Sequence, residues 1–266
     1  MLARMTDTAP DLPPDRRRHR EWLLDLADLP DGGVAVDLGC GRGGDLRAIA
    51  GRRPAPASRF LGLDASSEAV AAARAATTDA RIAFAVADLD AALPIPDASV
   101  DLAFSQNLVE CLGGRDGFVR EVARVLRPGG VAVIAHWDFD TQVYDGTDKA
   151  LVRRLVHGYA DLQQGWMRHA DGWTGRRLHG LFAPTGLFDG AVHARVLTNT
   201  SFAAPLYGHA TAHAFRTLAR RGLVPADDVE RFLADLEALD AAGRYFYGIT
   251  GYVYVGRRRR ASPVPG

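Results

Sequence analysis

Cysteine is scarce in this sequence. Cys40 and Cys111 are its only two, and they form no Cys-x-x-Cys pair. No disulfide framework is therefore expected. Lysine is scarcer still: Lys149 is the only one, so the basic residues are nearly all arginine, which we read as the imprint of a GC-rich coding sequence. Neither sign of charge is in excess, with 32 Lys and Arg against 32 Asp and Glu. A neutral chain has no global attraction for nucleic acid or for an anionic membrane. No apolar run approaches the ~20 residues of a membrane span. The opening "MLARMTDTAPDLPPDRRRHR" lacks the apolar core of a signal peptide, so a cytoplasmic protein is expected.

The 266 residues suit one large domain, or one domain with a substantial insertion. Residues 1–14, rich in Pro and Asp, read as a disordered tail. Residues 257–266, "RRRRASPVPG", read as a second flexible tail whose arginines are solvated. Between them strand and helix signals alternate. Asp15–Leu29 reads as a helix, with Trp22, Leu23, Leu26 and Leu29 to one side. Short apolar runs at Val34–Leu38, Phe60–Leu63, Ile82–Val86, Val100–Phe104 and Val131–Ala135 read as five strands. A helix is expected from Gly43 or Asp45. A second covers Ser67–Ala76, with Ser66 or Ser67 as N-cap, and a third carries Phe118, Val119, Val122, Val125 and Leu126 until "LRPGG" stops it. Five strands separated by helices predict a parallel, doubly wound sheet. Ligands of such sheets sit at the carboxyl ends of the strands. That rim gathers the glycine loop, Asp64, Asp88, Ser105–Gln106 and His136–Trp137.

After the fifth strand the pattern changes. Helices are expected over Leu151–Leu162, around Leu178–Phe182, over Leu206–Arg221 and over Ala226–Ala241. Strands are expected in "AVHARVLTNTSF" and "FYGITGYVYVG". There are no internal repeats.

"VDLGCGRGGD", Val36–Asp45, carries the chemistry. Glycines at 39, 41 and 43 remove Cβ atoms where a ligand must approach, and the following helix offers free N–H groups. Gly39, Gly41 and Gly44 also satisfy G-x-G-x-x-G, and Asp64 stands 20 residues beyond Gly44 where it can accept from ribose hydroxyls. Both NAD and S-adenosylmethionine sites share these features. Asp37, inside the first strand, favours a cationic ligand and would repel a pyrophosphate. An NAD-dependent oxidoreductase stays as the alternative, although no Tyr-x-x-x-Lys pair is present: Asp145 stands four residues before Lys149.

"VDLGCGRGGD", "FLGLD", "VAD", "DLAFSQNLVECL" and "VLRPGGVAVIAHWD", in that order, resemble the motifs of the class I S-adenosylmethionine-dependent methyltransferases, in particular the small-molecule enzymes of the ubiquinone/menaquinone group. The resemblance covers about Asp15–Asp140 and the terminal strands. It implies a Rossmann-like α/β fold: a doubly wound, seven-stranded sheet whose last strand runs antiparallel between strands five and six, under a helical cap. One domain would span 15–256, with cap segments 15–30, 137–175 and 203–245. The resemblance further implies that Gly39 and Gly41 wrap the methionine portion of S-adenosylmethionine, with Asp37 near its amino group. Asp64 would hold the ribose, Asp88 and Leu89 bracket the adenine, and Ser105 and Gln106 line the methionine side. Cys40 and Ala65 fall in the same turns and are counted with them. Arg42 departs from the small hydroxyl residue often found at its place.

The acceptor is expected to be a small, aromatic or apolar molecule, methylated on N, C or O, because aromatic residues crowd the cap segments. Nucleic acid and membrane are not expected as partners, and the protein is read as a monomer or homodimer. Within "HWDFDTQVYDG", His136 and Asp138 are candidates to orient or deprotonate an acceptor, and Tyr144 to hydrogen-bond it. Glu110 is a further candidate base. The acids of this stretch do not make a calcium loop, since Val143 stands where glycine is needed and Lys149 where glutamate is needed. His209 and His213, four apart on a helix, lack the further ligands a zinc ion requires. No metal is expected.

Overall fold

The computed structural model describes residues 12–169 and 171–260. Its first half alternates α1 (Pro14–Asp25), β1 (Val34–Leu38), α2 (Gly44–Gly51), β2 (Arg59–Asp64), α3 (Ser67–Ala75), β3 (Ile82–Val86), β4 (Val100–Gln106) and α4 (Arg115–Val125). Then come β5 (Leu126–Tyr144), α5 (Lys149–Ala160), α6 (Thr174–Phe182), β6 (Phe188–Asn199), α7 (Tyr207–Ala214), α8 (Arg216–Arg220), α9 (Ala226–Ala241) and β7 (Tyr247–Arg258). The strands form one seven-stranded sheet in the order β3-β2-β1-β4-β5-β7-β6. The first five are parallel, and β7 runs antiparallel to both β5 and β6. The strand order reverses beside β1, so the crevice between the carboxyl ends of β1 and β4 is where a ligand belongs.

Local chemistry explains several boundaries. Ser66, not Ser67, caps α3: its hydroxyl accepts from the Ala69 amide at 3.2 Å. Asp148 caps α5 by accepting from the amides of Ala150 and Leu151. Phe118, Val119, Val122 and Val125 bury one stripe of α4 against the sheet beside Leu178 and Phe182 of α6. On the opposite face Leu23 and Leu24 of α1 pack with Leu46 and Ile49 of α2 around Phe104 and Val133. A third core joins Trp137 and Tyr144 of β5 to Leu155, Phe215, Phe232 and Tyr247.

The structure departs from the sequence-based expectations in four places. Helix α1 ends at Asp25, four residues early, although Leu29 is still buried. The helix expected over 206–221 breaks at Phe215 into α7 and α8. Strand β5 extends far beyond Val131–Ala135. It begins at Leu126 and runs on to Tyr144, because β7 continues to pair with it: Trp137 opposes Gly251, Asp138 opposes Thr250, and after a register shift Tyr144 opposes Tyr247. "HWDFDTQVY" is therefore sheet edge rather than cap loop. Finally, Leu12 and Pro13 are buried and β7 reaches Arg258, so ordered structure enters both stretches read as tails; residues 1–11 and 261–266 lie outside the described residues.

A buried polar knot fastens α1 across the sheet's end. The Asp15 carboxylate accepts from the Asn199 side-chain amide at 2.9 Å and from the Tyr207 backbone amide at 2.8 Å. Asn199 in turn accepts from the Gly208 amide at 2.8 Å. Residues from the first helix, β6 and the start of α7 thus share one network. Asp15→Ala leaves the buried Tyr207 amide without its acceptor and Asn199 with one of its two, and is expected to cost about 1–3 kcal/mol, read as a lower urea midpoint.

Candidate active site

The glycine loop is bent by three left-handed residues, Gly39 (φ +78), Gly41 (φ +52) and Gly43 (φ +76). Gly43 has a second reason to lack a side chain: a Cβ there would stand 2.5 Å from the Phe84 ring. The loop is held by β2. The amides of Gly39 and Cys40 donate to the Leu63 carbonyl at 2.8 and 2.9 Å, and the Gly41 amide donates to the Asp64 carboxylate at 2.8 Å. The other Asp64 oxygen accepts from the Ser66 amide at 2.8 Å. Gly44 is simply the first residue of α2. The turn is made by alternate glycines at 39, 41 and 43, and the fourth contributes nothing to it.

The electrostatics of this loop are negative. Asp37 is almost wholly buried, and its carboxyl is held well above the usual carboxylate range by burial and then by the charges of Asp45 and Asp64, with Arg20 pulling the other way. The Cys40 thiol is also pushed up by burial, and then by Asp37 and Asp64. Arg20 is engaged by Asp45 at 2.7 Å. A pyrophosphate brought here would meet these acids, whereas an ammonium or a sulfonium would relieve their repulsion.

A single cleft opens from the loop. Gly39, Cys40, Gly41, Arg42 and Gln106 line its first part. Ser105 stands behind the wall, fully buried, its hydroxyl donating to the Leu38 carbonyl at 2.7 Å. Asp37 and Asp64 lie beneath the loop, Leu89 is buried, and Ala65 and Asp88 are exposed at the ends of β2 and β3. The sequence reading passed over Asn107, which also lines the cleft. It adopts a left-handed conformation (φ +56), and its side-chain carbonyl accepts from the Trp137 amide at 3.1 Å. An asparagine directly after an apolar strand was the available signal, since it tolerates that conformation better than most residues.

The far part of the cleft is walled by aromatic side chains: Trp137 and Phe139 of β5, Tyr159 of α5, Tyr207 of α7 and Trp166. Alternation along β5 turns its other residues away. Neither His136 nor Asp138 lines the cleft; the His136 backbone carbonyl and the Asp138 Cβ lie against Gly175 of α6. Asp138 is fully buried and grips Arg176 through both oxygens at 2.6 Å. Tyr144 is also outside the cleft; its hydroxyl donates to the Gly208 carbonyl at 3.2 Å, and its ring packs against Phe232 and Tyr247. The trio singled out in "HWDFDTQVYDG" thus lies outside the cleft lining, on the extended β5.

Other groups stand in or beside this part of the cleft. Glu110, in the turn after β4, lines the cleft, and His136 stands directly behind it, Nε2 at 3.7 Å from a Glu110 oxygen. Because His136 Nδ1 lies 2.7 Å from the Trp137 carbonyl, it must donate, and Nε2 carries the lone pair. Burial chiefly lowers the His136 pKa to about 4. Burial, then Glu110, raises Tyr159 to about 12. His19 of α1 stacks on Trp137 with ring centroids 4.0 Å apart, and burial followed by Arg195 lowers it to about 3. The stack has room because residue 251 is glycine: a Cβ there would meet the His19 ring at 2.5 Å and Trp137 at 3.0 Å. His209 and His213 approach to 3.1 Å beside Phe202. Among the described residues no group of three His, Cys, Asp or Glu side chains is arranged to hold a metal, and no helix is long and apolar enough to cross a membrane.

Comparison with known proteins agrees with this geometry. A family model described as a methyltransferase domain matches residues 36–134. An uncharacterized 37.1 kDa protein in transposon TN4556 of Streptomyces fradiae is 30% identical over 243 residues, covering 90% of this chain and 66% of that protein. Dimethylglycine N-methyltransferase of Parasynechococcus marenigrum is 35% identical over 148 residues, 53% of this chain and 49% of that enzyme. The chain therefore spans about half to two thirds of the length of these relatives. Phosphoethanolamine N-methyltransferase 2 of Haemonchus contortus, solved with S-adenosyl-L-methionine, shares the fold with a TM-score of 0.56 at 16% identity, over 91% of this chain and 53% of that one. Nothing among these supports the oxidoreductase alternative.

The buried acid of the loop gives a test with two opposite signs. Folded Asp37 keeps its proton above the ordinary carboxyl range, so the unliganded protein loses stability as pH rises through that raised value. Asp37→Asn should raise the melting temperature of the unliganded protein at pH 8. The same change should weaken S-adenosylmethionine binding about ten- to a hundredfold by calorimetry, because a charge-assisted hydrogen bond is lost. In the wild type, binding should strengthen as pH rises through the same value and should release a proton, seen as a heat that varies with buffer.

Proposed function

We propose, on the premise that this chain belongs to the class I S-adenosylmethionine-dependent methyltransferases, that it transfers the methyl group of S-adenosylmethionine to a nitrogen, oxygen or carbon of a small molecule held between Trp137, Phe139, Tyr159 and Tyr207. One observation carries this reading. The acid-ringed glycine loop, fit for a cationic cofactor, opens directly into an aromatic-walled cleft. On this reading residues 15–256 are one domain, and segments 15–30, 137–175 and 203–245 supply the acceptor walls. It acts as a monomer or homodimer in the cytoplasm, on a metabolite rather than on nucleic acid or a membrane.

Asp37 takes the cofactor's amino group, Gly39, Cys40 and Gly41 its methionine portion with Gln106 opposite, and Asp64 its ribose. Ala65, Asp88 and Leu89 border the adenine, while Ser105 fixes the strand end from behind. Bound there, the cofactor supplies a sulfonium methyl with a good leaving group. The protein's own task is then to orient the acceptor, exclude water and receive a proton. The aromatic faces hold the acceptor and favour the cation beside them. For a nitrogen or oxygen acceptor, Glu110 receives the proton on its carboxylate. His136, presenting a lone pair at 3.7 Å, accepts a hydrogen bond from the protonated acid and so acts as a positioning residue. Glu110 also ties down the cleft's rim, since its backbone carbonyl accepts from the amides of Arg168 and His169.

Calorimetry should show heat with S-adenosylmethionine and none with NAD; heat with NAD alone would overturn the assignment. Incubation of metabolite extracts with the cofactor should yield one species heavier by a methyl group, which identifies the acceptor. With an N–H or O–H acceptor so identified, Glu110→Gln should lower kcat about a hundredfold or more while cofactor affinity stays within twofold. An unchanged kcat would remove Glu110 from the chemistry.

A further inference from the structure

Helix α1 presents Arg16, His19 and Arg20 to the cleft along one face. Arg20 belongs to the cofactor end, where Asp45 holds it at 2.7 Å. Arg16 lies one helical turn earlier, towards Tyr207, and its situation differs. Its Nε is buried without a hydrogen-bond partner, and no carboxylate among the described residues pairs with its guanidinium. The neighbouring Asp15 is turned away: its oxygens accept from Asn199, from the Tyr207 amide and from the Arg16 backbone amide. Arg16 is half-buried, and a ligand carboxylate would give its unpartnered Nε an acceptor. Arg16, Tyr207 and Glu110 line the same cleft.

We propose that Arg16 is the anion-binding residue of the acceptor site, and that the acceptor is a small aromatic carboxylic acid. This rests on the methyltransferase reading and adds the acceptor's class. The guanidinium fork matches a carboxylate through two parallel hydrogen bonds. Trp137 and Tyr207, with ring centroids 5.2 Å apart, offer faces for an aromatic body beside it. With its carboxylate on Arg16, the acceptor lies across Tyr207 and turns its methylated group towards Glu110. The division of labour on α1 follows: Arg20 serves the cofactor end and Arg16 the acceptor.

The test uses the full chain saturated with S-adenosylhomocysteine, titrated by calorimetry with benzoate, phenylacetate and indole-3-carboxylate and with their primary amides. At least one carboxylate should bind, and more tightly than its amide. Arg16→Gln should weaken that binding about ten- to a hundredfold, Arg16→Lys should restore part of it, and neither should change S-adenosylhomocysteine affinity beyond twofold. Thermal melts confirm that the variants fold. The proposal is overturned if no carboxylate binds better than its amide, or if Arg16→Gln leaves carboxylate binding unchanged. It is equally overturned if Arg16→Gln weakens S-adenosylhomocysteine binding instead, for then the guanidinium serves the cofactor. Failure of the wild type to bind S-adenosylhomocysteine at all would sink the methyltransferase reading itself, and with it this proposal.

Discussion

Everything at this site depends on negative charge kept out of water. Asp37 and Asp64 are buried at the carboxyl ends of adjacent parallel strands, and Asp45 opens the helix that follows. In an empty protein the arrangement is costly, and the raised Asp37 pKa records the cost. The left-handed glycines bend the loop so that the Gly41 amide turns inward to Asp64. Fold and cofactor preference are in this sense one fact: the sheet needs a tight turn after β1, and the turn needs a positive ligand to be comfortable.

The acceptor side is built by a different device. Strand β7 enters antiparallel and is long enough to draw β5 out of the central sheet as a two-sided blade. One side of that blade, Trp137 and Phe139, becomes chamber wall. The other, His136 and Asp138, becomes foundation, clamped by Arg176 and Gly175 of α6. The foundation touches the cleft wall at one point, where His136 backs Glu110.

The glycine loop, the first five strands and a serine cap at the start of α3 were legible in the sequence because they obey local rules: alternation, capping and tight turns. The antiparallel seventh strand came through the ordered motifs of the resemblance. What was not legible depends on partners distant in the chain. "HWDFDTQVYDG" reads as a polar loop until β7, more than a hundred residues later, pairs with it and fixes which side chains face the cleft. Likewise the sequence marked Glu110 as a candidate base and Asp15 as the start of a helix but gave neither its partner, since neither the Glu110–His136 approach nor the Asp15–Asn199 bond has any local signature.

Gly251 gives the chamber its ceiling. A missing methyl group in the last strand lets the first helix lay His19 flat on Trp137, so the depth of the cleft is set by two segments at opposite ends of the chain. A Cβ at this position would force the His19–Trp137 stack apart. The last strand thus bears on the cleft wall from a point remote in the chain from the glycine loop.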